Sequence, residues 1–139
     1  MTLEDFVSSE WNLVATIDSR TVFSSDASDL IPLVELIEQF RGRAGCDLSI
    51  YDRYVGRAGA LLMTPLRPKQ VFAGTISDGG VAVLTRAGIP FTAGERVPYL
   101  MGKASEGMCR WERLSRGMSP AQFYEAVRIA FDRDNGERT

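Results

Sequence analysis

DLSIYDRYVGRAGALLMTPLRPKQVFAGTISDGGVAVLTRAG, residues 47–88, switches between strand and helix periodicity along its length, and the order of those switches decides the fold. Residues 47–55 (DLSIYDRYV) have the β-branched and aromatic content of a strand. Gly56 then opens a segment, residues 57–64, in which Ala58, Leu61 and Leu62 share one helical face until Pro65 ends it. Residues 70–76 (QVFAGTI) are a short apolar run of the kind that forms a buried strand. Ser77 and Asp78 suit the start of a helix through Val81, Leu84 and Ala87, which Gly88 stops as a C-terminal glycine. Strands joined through helices in this way run parallel, connected by right-handed crossovers.

Upstream, residues 11–17 (WNLVATI) and 21–24 (TVFS) read as strands, and Asp18, Ser19 and Arg20 form the turn of an opening hairpin. Leu33, Leu36, Ile37 and Phe40 recur at the spacing of an amphipathic helix, with Pro32 in its first turn and Gly42 past its end. Downstream, Phe91 begins a last short strand. Residues 93–117 carry glycines at 94, 102, 107 and 117 without a clean period, and are expected to form a long ordered loop packing Trp111 and Leu114 onto the body. Ser119, Pro120 and Gln122 make a capping-box start for a helix reaching about Arg133, with Phe123, Ala126, Val127, Ala130 and Phe131 at helical spacing and residues 132–139 fraying. The expectation is one α/β domain over residues 1–139, a three-layer arrangement with about five strands, mostly parallel after the hairpin, and helices on both faces.

Composition removes more functions than any motif adds. The 139 residues contain no histidine, so Ser-His-Asp and Cys-His catalysis and His-ligated metals are excluded. The two cysteines, Cys46 and Cys109, lie too far apart in sequence for a Cys-x-x-Cys metal or redox pair. A net charge of −2 argues against duplex nucleic acid as a partner, because phosphate binding draws its affinity from clustered Lys and Arg. The first residues hold Glu4 and Asp5 rather than the basic start of a signal peptide, and no run is long enough to span a membrane, so a cytoplasmic protein without cofactor is expected.

Several runs carry a family likeness: Val55 to Leu62 (VGRAGALL), Thr75-Ile76-Ser77 followed by a helix ending Arg86-Ala87-Gly88-Ile89, then Val97-Pro98-Tyr99 and Gly107-Met108-Cys109. In order and spacing they resemble DUF1893, a family of unknown function, over roughly Asn12 to Leu114. The resemblance implies a cytidine-deaminase-like fold, a mixed five-stranded sheet of order 2-1-3-4-5, and no assigned activity. Zinc deaminases of that fold open their second helix with His-x-Glu and their third with Pro-Cys-x-x-Cys. Here the matching starts read Gly56-Arg57-Ala58 and Ser77-Asp78-Gly79-Gly80, with neither the zinc ligands nor a proton-shuttling glutamate. Zinc-dependent deamination is therefore not expected.

The candidate binding residues are Asp52, Gly56, Arg57, Ser77, Asp78 and Gly79. Both helix starts should lie at the carboxyl ends of parallel strands, where open α/β sheets place ligands, and their unpaired amides favour an anion. Arg57 would add a bidentate donor fork, Gly79 and Gly80 would allow close approach, and Asp52 could pair with Arg57 or orient a ligand hydroxyl. The competing reading makes Ser77 a cap, Arg57 a surface side chain and Asp52 a solvated carboxylate. Cys109, beside Arg110, is a candidate nucleophile or redox thiol, with Glu106 or Glu112 as the available bases. Cys46 reads as a small hydrophobe, Arg41 and Arg43 as helix-end cations, and Trp111 and Tyr99 as loop anchors. The leading expectation is a module binding a small anionic metabolite or nucleotide. The alternatives are a metal-free enzyme using Cys109 and a protein-interaction subunit, with a homo-oligomer among the partners considered.

Overall fold

The computed structural model describes residues 1–28, 30–40, 47–100 and 110–137. In chain order they form α1 (Leu3–Val7), β1 (Leu13–Ile17), β2 (Arg20–Ser25), α2 (Ile31–Phe40), β3 (Leu48–Val55), α3 (Arg57–Met63) continued by a 3-10 turn (Thr64–Leu66), β4 (Gln70–Ser77), α4 (Asp78–Ala87), β5 (Phe91–Val97), α5 (Arg110–Leu114) and α6 (Pro120–Glu137). The sheet order is β2-β1-β3-β4-β5. β1 pairs antiparallel with both β2 and β3, and β3, β4 and β5 run parallel. The strand after Trp11 thus lies between its hairpin partner and β3, in the order that the resemblance implies.

Alternation along the strands separates two faces. Ala15, Ile50 and Val71, in register across β1, β3 and β4, point toward α2, α3, α4 and α6 and join Leu36, Leu62, Leu84, Phe123 and Val127 in the main core. Val14, Tyr51 and Phe72 point the other way, where α1 lays the fully buried Phe6 beside them. The ladder skips Arg53 opposite Gly74 and Gly74 opposite Gly94. A Cβ on Gly74 would stand 2.8 Å from the Arg53 carbonyl oxygen, so only glycine permits the strands to approach there.

The hairpin closes through Asp18 and Ser19, both with positive φ (50° and 66°), the two-residue geometry that matches strand twist. Ser119 Oγ accepts from Gln122 N–H and the Gln122 side chain accepts from Ser119 N–H, so the capping box forms as its spacing predicts. α1, Leu3–Val7, has its own capping box between Thr2 and Asp5, a short element for which the hydrophobic pattern gave no reading.

Three expectations are corrected. Residues 93–117 are not one long loop, because β5 continues through Val97 and Arg110–Leu114 is helical. Ladder pairing to β4, up to Ser77 opposite Val97, holds that strand extended beyond its apolar start. Leu114 is not packed on the body but 45% exposed, since Trp111 of α5 and Ser115 just past its end turn inward and leave Leu114 on the flank. α6 does not fray at Asp132 but runs to Glu137, because each residue added to an established helix closes another backbone hydrogen bond.

Candidate site at the starts of α3 and α4

Val55 lies opposite Ile76 in the β3–β4 ladder, so the chain leaves two neighbouring parallel strands at the same level and enters α3 and α4 side by side. The approach is close: a Cβ on Gly80 would stand 2.8 Å from the Val55 carbonyl oxygen and 3.4 Å from the Gly56 carbonyl carbon. Gly80 is therefore what seats the first turn of α4 against the entry to α3.

The two starts are finished differently. In α4 the fully buried Ser77 caps the helix, its Oγ accepting from Gly80 N–H at 3.1 Å. The amides of Asp78 and Gly79 precede it and are not served by that cap. The Asp78 carboxylate, exposed, is 2.7 Å from Arg96 Nε of β5, the ion pair present among the described residues. Asp78 thus faces across to β5 with its charge already matched. In α3 the N-cap is Gly56, which offers no side-chain cap. The first intrahelical bond is Ala60 N–H to Gly56 C=O at 3.0 Å, so the amides of Arg57, Ala58 and Gly59 lie ahead of it. Gly56, Ala58 and Gly59 are all buried.

Arg57 stands at the head of that uncapped start, half-buried. Its Nε is fully buried and has no hydrogen-bond partner among the described residues. Asp52 does not pair with it. The carboxyl of Asp52 points to the helix-bearing face, opposite Leu13 and Ala73 in register. Although the residue keeps some solvent contact, burial pushes its carboxyl up to about 7, against the backbone N–H groups of Tyr54 and Arg53 that favour the charged form. Its reading as a solvated strand-end carboxylate is thereby corrected: β3 carries it inward beside Leu13.

A basic residue that the sequence did not mark is Arg53, which spans the outer side of the same strand. It donates to the carbonyls of Val7 (3.0 Å), Ser9 (2.9 Å) and Trp11 (2.8 Å) and to Asn12 Oδ1 (3.3 Å), and its guanidinium lies 5.4 Å from the Phe6 ring centre. Its partners are backbone carbonyls forty or more positions earlier, which no local pattern announces. Trp111 is an anchor, edge-on to Phe123 and Phe131, whereas Tyr99 is 42% exposed. The Cys109 candidate lies outside the described residues, as do Glu106, Cys46, Arg41 and Arg43.

The family described as a domain of unknown function, DUF1893, matches residues 3–130, beginning ahead of the resemblance read from the sequence and taking in α1. The crystal structure of a DUF1893 family protein from Thermotoga maritima, at 2.70 Å resolution, is similar with a TM-score of 0.80 and 28% identity, over 92% of this chain and 86% of that one. No curated protein matches the sequence.

Proposed function

The chain belongs to the DUF1893 family, a domain of unknown function, and from that premise we propose that it binds a small anion, such as a phosphate-bearing metabolite or a nucleotide, where α3 and α4 begin. The observation that carries this reading is the buried start of α3, without a side-chain cap, with the Arg57 Nε buried beside it and without a partner among the described residues. A helix start removed from water without a capping side chain leaves amide donors unsatisfied, and a ligand acceptor is one way to satisfy them. Arg57 supplies the charge and the forked donors for such an acceptor. Gly79, ahead of the amide that Ser77 caps, offers a second set of donors from the neighbouring helix. Asp78 is the feature that opposes an anion, and its ion pair with Arg96 offsets that charge.

One helix end contributes about 0.3–1 kcal/mol to a nearby charge and a charged hydrogen bond about 1.5–3, which together support millimolar to micromolar binding. Inorganic phosphate, sulfate and a nucleoside monophosphate at millimolar concentration should each be scanned for a rise in Tm. Arg57→Ala should remove most of that rise and leave the ligand-free Tm nearly unchanged. If none of the three anions moves the wild-type Tm, the reading fails and the α3 start is a packing feature.

A further inference from the structure

At the opposite end of the sheet, on the side covered by α1, lies a cavity of about 230 Å³. β1 ends there as β3 begins, with Thr16 in register with Ser49. The two hydroxyls stand side by side on one wall. Tyr51 and Phe72, stacked at 4.5 Å and 13°, line the apolar part. The Tyr51 hydroxyl is committed to the Met1 carbonyl oxygen at 2.7 Å, so this residue offers the cavity its ring and not its donor.

Thr16 is only 8% exposed and, with Ser49, lines the cavity. A hydroxyl on a cavity wall can exchange a hydrogen bond with a polar group inside it. The rim carries both signs of charge: Asp18 from the hairpin turn, Asp47 from the entry to β3, and Lys69 from the entry to β4. None of these three is in an ion pair within 4 Å among the described residues, so the ammonium and the carboxylates surround one space without neutralising each other. A plain anion entering it meets two carboxylates, and a plain cation meets the lysine. A ligand carrying both charges can answer all three.

We propose that this cavity is a second binding site, for a free amino acid, with the ligand ammonium held between Asp18 and Asp47 and its carboxylate at Lys69. Thr16 and Ser49 donate to or accept from its polar atoms, and a short carbon skeleton rests on Tyr51 and Phe72. The site is independent of Arg57, since the two lie at opposite ends of the parallel strands.

Saturation-transfer NMR on the full chain, with the standard amino acids at millimolar concentration, tests this. Transfer is expected to at least one of them, and the corresponding decarboxylated amine and N-acetyl derivative should each bind at least about tenfold more weakly. Lys69→Met and Asp47→Asn alter exposed side chains and should weaken binding by a similar factor, while Arg57→Ala leaves it intact. Thr16→Val should also weaken binding, by removing a hydrogen-bonding group from the cavity wall. The proposal is overturned if no amino acid shows transfer, which marks a cavity holding solvent only. It is equally overturned if the amine binds as well as its parent amino acid, or if Lys69→Met and Asp47→Asn both leave binding unchanged.

Discussion

The two faces of the sheet are built on different terms. Toward α2, α3, α4 and α6 the strands present Leu13, Ala15, Ile50, Val71 and Ala73, all nearly or wholly buried, and the stability of the domain is concentrated there. Toward α1 the same strands present Thr16, Ser49 and Gln70 between Val14, Tyr51 and Phe72. A face that alternates polar with apolar residues in this way needs little covering, and among the described residues it receives Phe6 and Leu3 of a five-residue helix with Trp11 beyond it. The arginines of β3 and its exit repeat the contrast. Arg53, on the thinly covered face, has its guanidinium engaged by the end of α1 and the loop after it, whereas Arg57, at the head of α3, has a buried nitrogen without an acceptor among the described residues. Full engagement marks a structural residue, and a buried unengaged donor marks a place where something else can bind.

The contrast can be broken by substitution. Leu62→Ala empties a fully buried position between helices and should cost about 2–5 kcal/mol in a denaturant titration, the largest effect expected of any single change discussed. Arg53→Met on the opposite face should cost roughly 2–3 kcal/mol, as several carbonyls lose a charged donor. That loss should be accompanied by faster amide exchange in residues 3–12, since α1 and its loop open as a unit. If Arg53→Met costs more than Leu62→Ala, stability is not concentrated on the helix-rich face and the comparison is wrong.

Gly80→Ala should cost about 1–3 kcal/mol, because its Cβ would press on the Val55 carbonyl oxygen and push α4 away from α3. The same substitution should abolish any phosphate-dependent rise in Tm, which ties the helix approach to the proposed anion site.

Asp52 offers a test by pH. Its carboxyl titrates near 7 in the folded chain and near 4 when unfolded, so between those values the folded state keeps a proton that the unfolded state has lost. Stability contributed by this group is fully present below about pH 4 and declines as pH rises toward 7. Asp52→Asn should remove that decline, and the unfolding midpoints of variant and wild type should diverge in favour of the variant as pH is raised. Parallel curves would mean the carboxyl is hydrated. Smallest of all, Leu114→Ser on the exposed flank of α5 should lie within about 0.5 kcal/mol of wild type.

Much of the fold was legible because its signals are local. The Ser77 cap and Gly88 stop bracket α4 as their residue types require, the capping box at Ser119 forms, and the helical spacing from Leu33 to Phe40 becomes a buried stripe. The candidate site was legible in part. Helix starts at Gly56 and Ser77 follow from the pattern, and parallel strands bring them together.

The amino-acid sequence by itself determined the hairpin, the helices from Leu33, Arg57, Asp78 and Pro120, the parallel β3-β4-β5 half and the absence of histidine chemistry, because each depends on residue type and short-range periodicity, whereas α1 and α5 went unread. Only the tertiary structure decided which polar groups are used and which are spare. Arg53 and Arg57 sit four positions apart in one stretch of chain with the same side chain, and nothing local distinguishes them. What separates them is the loop before β1 that folds over one and the helix start that leaves the Nε of the other without a partner among the described residues. Likewise Asp52 is an ordinary carboxylate in sequence and a proton-holding one in the fold, since its surroundings come from β1, β3 and β4 at once and desolvation depends on them all.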